Sequence, residues 1–138
     1  MPAGCCGEMI PQCVDQGVGV IPWSPLARGM LTGNRTRSGE KLTKRAQTDA
    51  FGDSLYKPDV DFDVIERADE IAAERGAPTA RVALAWLLHR PGVTAPIIGA
   101  TKLEHLQDAL AAEQLALSAE EMDRLEEPYR PHAIAGHA

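Results

Sequence analysis

Only two stretches of this 138-residue chain read as β-strand, and that scarcity limits its fold more than any other feature. Val18, Val20 and Ile21 follow Gly17 and stop at Pro22 and Pro25, while residues 93–98 (VTAPII) end at Gly99. Each run is short, apolar and bounded by turn residues, the pattern of a buried strand. Helical signals fill much of the remainder. Residues 8–15 make a short helix limited by Pro11. Ile65, Ala68, Ile71 and Ala72 recur at three- and four-residue spacing behind Asp61 or Asp63 as N-cap, and Gly76 closes that helix. Pro78 opens a helix whose Val82, Leu84, Ala85, Leu87 and Leu88 are apolar almost all round, predicting deep packing. Residues 102–112 set Leu103, Leu106 and Leu110 on one face, and Ser118 with Glu121 forms a capping box for a last helix through Leu125. Strands alternating with helices predict parallel βαβ units. Two strands can neither close a barrel nor fill a covered sheet. The predicted class is α/β, incomplete on its own.

Composition adds mainly exclusions. Hydrophobic residues at 44% and charged residues at 25% suit one globular domain, not a disordered tail or a coiled-coil rod. No apolar run reaches the ~20 residues of a membrane span. The opening MPAGCCGEMIP has neither the basic nor the apolar region of a secretory signal, so a cytoplasmic location is expected. A net charge of −6 argues against nucleic acid as a partner. The charge is uneven, however: Arg28, Arg35, Arg37, Lys41, Lys44, Arg45 and Lys57 face only Glu40, Asp49 and Asp53. A basic loop in an acidic chain suits a small anionic ligand, or simply a solvated surface. Residues 33–58 show no apolar period of either kind and read as a long flap, and beyond Pro128 the tail (128–138) reads as irregular. Cys5, Cys6 and Cys13 complete no zinc spacing and read as reduced thiols, so no metal site is predicted.

Two segments carry chemistry, IPWSPLARGMLTG (21–33) and PIIGATKLEHL (96–106), each at the C-terminal end of a predicted strand, where parallel α/β folds bind ligands. Gly99 lets backbone approach a phosphate, and the helix start behind it favours an anion; Thr101 adds a hydroxyl and Lys102 a charge. Lys102 opposes the helix dipole, the kind of local conflict found at ligand sites. Trp23 either fills a core or stacks on a ligand ring. His105 reads as partly exposed and His89 as a helix-end residue without a functional role. Glu120, Glu121, Asp123, Glu126 and Glu127 read as a solvated helix face.

Four blocks in order, WSPLARGxLTG, VALAWLL, PIIGAT and LSAEEMDRLEEPY, resemble the aldo-keto reductase superfamily from about Glu8 to the end. The resemblance is to the NADP(H)-dependent branch that includes potassium-channel β-subunit-like proteins. It implies that residues 1–138 are a partial reductase domain, the C-terminal portion of a (β/α)8 TIM barrel, with NADP(H) across the strand ends. On that reading Trp23 stacks on the nicotinamide, and Ser24, Pro25, Leu26, Ala27 and Arg28 wrap the pyrophosphate. Gly99, Thr101 and Lys102 hold the 2′-phosphate, His105 and Asp108 lie near the adenine, and residues 33–58 cover the cofactor. The family often has Arg where this chain has Thr101, Gln where it has His105 and Asn where it has Ala109, which implies a weaker hold on the adenine.

The family activity implied is hydride transfer between NADPH and an aldehyde or ketone. Its proton donor is a Tyr supported by a Lys, an Asp and usually a His, all from the N-terminal half of the barrel. No segment here resembles that half. Tyr56 and Tyr129, and His89, His105, His132 and His137, fall in no catalytic motif, so no catalytic residue is assigned and the chain alone is expected to be inactive. The expected partners are a nicotinamide dinucleotide and either an N-terminal barrel half or further copies of the chain, joined at open strand edges. The alternatives are a non-catalytic module that binds NADP(H) or a partner, and a truncated gene remnant.

Overall fold

A computed structural model describes residues 8–56 and 58–130. Seven α-helices lie along this span: α1 (Ile10–Asp15), α2 (Lys44–Thr48), α3 (Ala50–Leu55), α4 (Pro58–Arg75), α5 (Thr79–Leu88), α6 (Leu103–Ala111) and α7 (Ala119–Glu126). Short 3-10 turns occupy Ala27–Thr32 and Ala112–Gln114. No helix among the described residues is long and apolar enough to cross a membrane.

The helical core sits where the apolar spacing puts it. On α4, Phe62, Ile65, Ala68, Ile71 and Ala72 are buried, and on α5, Val82, Leu84, Ala85 and Leu87 are. Ile71 and Val82 meet at the centre, both with 0% of their surface exposed, and Leu117 and Leu125 close the cluster from the α7 side. Leu31 joins this cluster to a second one formed by Met30, Phe62 and Ile65. Helix α4 begins at Pro58, earlier than the Asp61 or Asp63 start expected from capping, because a proline suits the first turn. It stops at Gly76, whose φ of +58° turns the chain so that the Ala77 N–H reaches the Ala72 carbonyl at 2.9 Å.

Ser118 and Glu121 make the expected capping box: the Ser118 hydroxyl accepts from the Glu121 N–H at 3.2 Å, and the Ser118 N–H donates to Glu121 at 2.7 Å. Glu121 corrects the solvated-face reading. It is buried and takes both donors of Arg75 at 2.5 Å, tying α7 to α4, and that guanidinium beside it holds its carboxyl down to about 2. Glu126 is also engaged, by Arg90 at 2.5 Å and by the Trp86 indole at 3.1 Å.

The strands are the main departure. Residues 18–23 and 93–98 do run parallel, but they meet only at isolated bridges, Val20 with Val93 and Trp23 with Ile97, and no continuous strand forms among the described residues. Three steps along the first segment match four along the second, so the register slips by one across Pro96. Pro22 and Pro96 each remove a ladder donor. Neither segment is a buried strand as expected: Val18, Ile21, Ile97 and Ile98 are exposed because the described chain supplies each segment with one neighbour only. Leu103, Leu106 and Leu110 on α6 likewise face outward.

The central contact sets a stability test. Ile71→Val should lower the unfolding free energy by about 0.5–1.5 kcal/mol, whereas Leu103→Ala should stay within about 0.5 kcal/mol. Urea denaturation of the two variants checks the ordering, and equal losses would contradict it.

Candidate functional site

Pairing brings the two sequence-predicted segments together. The Ile97 N–H donates to the Pro22 carbonyl at 2.9 Å, so Trp23–Arg28 and Gly99–Lys102 leave neighbouring chain ends in the same direction. Trp23 is not core: 60% of its surface is exposed. Behind it the backbone turns with positive φ at Ser24 (51°), Ala27 (49°) and Arg28 (55°), then again at Gly29 (95°). Three non-glycine residues in this region cost on the order of 1–2 kcal/mol each. Such strain persists only where surroundings over-determine it, typically at ligand sites.

What over-determines it here is visible bond by bond. The Arg28 N–H donates to the Ser24 hydroxyl at 3.2 Å, and the Ala27 N–H donates to the Ser24 carbonyl at 3.0 Å. The buried Asn34 amide donates to the Arg28 carbonyl at 3.1 Å, seated where a side chain on Gly29 would collide with it.

Residues 33–56, expected to be a flap without regular structure, are organised. Arg35 and Lys41 form an antiparallel bridge, and α2 and α3 follow. The Thr43 hydroxyl accepts from the Ala46 N–H at 3.2 Å, and Asp49 accepts from the Gly52 N–H at 3.0 Å, capping the two helices. Neither helix has an apolar stripe, which is why periodicity missed them. Ion pairs hold the segment instead. Arg28 grips buried Asp49 with two donors at 2.6 and 2.8 Å, Arg35 and Lys41 share Asp53 at 2.5 and 2.6 Å, and Arg37 reaches Glu66 and Asp63. The Arg28 guanidinium holds the Asp49 carboxyl down to about 2. Four of the basic residues that suggested an anion site are therefore engaged inside the chain. Lys57 lies outside the described residues, as do Cys5, Cys6, His132 and His137.

Two aromatic groups of the same segment also close on the turn. The Phe51 ring stacks on Trp23 with centroids 6.5 Å apart, and the Arg28 guanidinium lies 5.4 Å over Phe51. Tyr56, expected in a loose loop, is half-buried and packs beside Met30, Phe62 and Ile65, and burial pushes its phenol up. Asp49, Phe51, Asn34 and Tyr56 were not predicted as site residues. The only sequence signal was an Asp three residues before Gly52, a weak cap pattern.

The second segment is open. Gly99, Ala100, Thr101 and Lys102 are exposed, and Lys102 N-caps α6 with extended backbone and no side-chain cap bond. Its ammonium pairs with Glu104 at 3.1 Å, which relieves the dipole conflict. His105 is exposed, 3.9 Å from Glu104. Asp108 is bound to Arg81 of α5 at 2.5 Å. No group of three or more potential metal ligands occurs among the described residues. A surface depression of about 400 Å³ lies elsewhere, lined by Asp63, Glu66, Arg67, Glu70, Glu127, Pro128 and Arg130, and contains none of the predicted site residues.

Comparison with known proteins gives the family. Residues 7–130 match the aldo/keto reductase family, and the chain belongs to that family. It is 46% identical to an aldo-keto reductase of Metarhizium robertsii, over 95% of this chain and 35% of that protein. It is 41% identical to versiconal hemiacetal acetate reductase of Aspergillus parasiticus, over 92% of this chain and 37% of the relative. The crystal structure of a thermostable aldo-keto reductase with the inhibitor epalrestat superposes with a TM-score of 0.58 at 28% identity, covering 87% of this chain and 33% of that one. The chain thus spans about a third of the length of these relatives.

Two outcomes follow. Ala27→Gly should raise the unfolding free energy by about 1 kcal/mol, since glycine carries no penalty at positive φ. Denaturant titration reads this, and a destabilised variant would contradict it. Asp49 is the more strongly shifted of two flap carboxyls held down by neighbouring cations, the other being Asp53 beside Lys41 and Arg35. A depressed carboxyl stabilises fully above its ordinary 3.8 and loses that contribution as pH falls through about 2. Amide exchange over 44–56 should rise across that acid window, less so in Asp49→Asn; release already at neutral pH would contradict the assignment.

Proposed function

We propose that this chain is the C-terminal, cofactor-binding portion of an aldo-keto reductase barrel and that its ligand is NADP(H). The observation that carries the reading is the adjacency of two chain ends, one with an exposed indole and the other with a lysine at a helix start. Trp23 suits a planar ring, and Gly99, Thr101 and Lys102 suit a phosphate near the N-terminus of α6. Ser24, Pro25, Leu26 and Ala27 supply the strained turn along which a pyrophosphate would lie. His105 is free to approach the adenine side. Two residues fit only conditionally: Arg28 and Asp108 already hold Asp49 and Arg81. The bound nicotinamide would supply the hydride chemistry, and this chain's residues would bind and orient it.

Within that reading the branch is the NADP(H)-dependent one related to potassium-channel β-subunits, and the location is cytoplasmic. The exposed Val18, Ile21, Ile97, Leu103, Leu106 and Leu110 support a partner surface, covered by the rest of a barrel or by further copies of the chain. We assign no catalytic residue to this chain.

Replacing Lys102 by Ala should weaken NADPH at least about tenfold more than NADH, the effect of one lost charge-assisted contact to the 2′-phosphate. Calorimetric titration of both cofactors checks it, and equal losses would contradict the assignment. The purified chain should also consume no NADPH with aldehydes. Activity that disappears in Tyr56→Phe or Tyr129→Phe would overturn that expectation.

A further inference from the structure

Asp49 and Phe51, two residues apart on the flap, present to the strand-end turn an anion and a planar ring. These are the two chemistries that a nicotinamide dinucleotide carries. The Phe51 ring lies on Trp23 with 23° between planes and centroids 6.5 Å apart, within the range of offset stacking. The Asp49 carboxylate takes both the Nε and Nη2 donors of Arg28, the fork that would otherwise grip a phosphate. We propose that the flap plugs its own site: Phe51 takes the ring position on Trp23 and Asp49 the anion position on Arg28, so that a dinucleotide enters only by displacing both. This rests on the NADP(H) reading above.

The packing suits a plug better than a fixed wall. Within α3 only Gly52 is fully buried, Leu55 is half-buried and Phe51 is 54% exposed, so the helix is held chiefly at its two caps, Asp49 and Tyr56. Asp49 and Phe51 belong to one capped unit and move together. Tyr56, packed beside Met30, Phe62 and Ile65, remains as the hinge end. Displacement strands no charge. Arg28 would exchange a carboxylate for a phosphate, while Asp49 keeps the Gly52 N–H at 3.0 Å and Arg35 at 4.0 Å. The apparent affinity is then the intrinsic affinity reduced by the fraction of chains with the flap lifted.

The test is calorimetric titration of NADPH into the wild-type chain, Phe51→Ala and Asp49→Asn. Removing the ring should tighten binding about three- to tenfold, the equivalent of one lost aromatic pair, and Asp49→Asn, which keeps an acceptor for Gly52, should tighten it as well. Unchanged or weaker binding in Phe51→Ala overturns the plug and leaves the cofactor reading standing; weaker binding would mean that Phe51 supports the ligand ring. If Asp49→Asn loses the flap's amide protection, Phe51→Ala alone decides, since its side chain is exposed. Absence of NADPH binding in all three overturns both the plug and the cofactor reading.

Discussion

The contact between α4 and α5 is the one on which the rest of the structure depends. Ile71 and Val82 are fully enclosed there, and α7 and the strand-end turn are fixed by reaching this pair or its neighbours. Leu117 and Leu125 bring α7 against it, reinforced by the Arg75–Glu121 pair, and Leu31 brings in the strand-end turn. In a closed parallel barrel the sheet is the centre and the helices are the rind. Here the helical layer carries the core, while the two extended segments hang from its edge with Val18, Ile21 and Ile97 in solvent. The chain belongs to a family whose relatives named above are about three times as long, and most of the apolar residues of its two extended segments are exposed among the described residues.

The flap is held by a different kind of force. Arg28, Arg35, Arg37 and Lys41 meet Asp49, Asp53, Asp63 and Glu66, so charge fixes most of residues 33–56, with buried Ala46, and Tyr56 against Met30 and Phe62, as its apolar contacts. Most of these pairs lie near the surface, where salt screens them and each contributes little alone. A segment held this way opens at lower cost than one anchored in the core. Through Asp49 and Phe51 this segment packs on the strained turn at Ser24–Gly29.

The parts of this structure legible in the sequence were those set by local pattern. The period of Ile65, Ala68, Ile71 and Ala72 gave the buried face of α4, and Ser118 with Glu121 gave the start of α7. The parallel pairing of the two apolar runs was legible too, because few other arrangements suit strands separated by helices. Their broken continuity and exposure were not, since Pro22 and Pro96 each remove a ladder donor and each segment pairs with one neighbour only among the described residues. Nor was the pairing of Asp49 with Arg28, which joins residues 21 positions apart with no period to announce it. Trp23 was ambiguous by composition, and its 60% exposure resolves the choice against a core role. The partners of Arg28 and Asp108 could be found only in three dimensions.

The central claim is that one dinucleotide spans the two adjacent chain ends. It is tested most directly by titrating the isotope-labelled chain with NADP and following its backbone amide and indole resonances. The account predicts coupled shifts at Trp23–Gly29, including the Trp23 indole, and at Gly99–His105, all saturating at one ligand concentration. Shifts confined to one of the two segments, or centred on the depression beside Glu66 and Arg130, would contradict it.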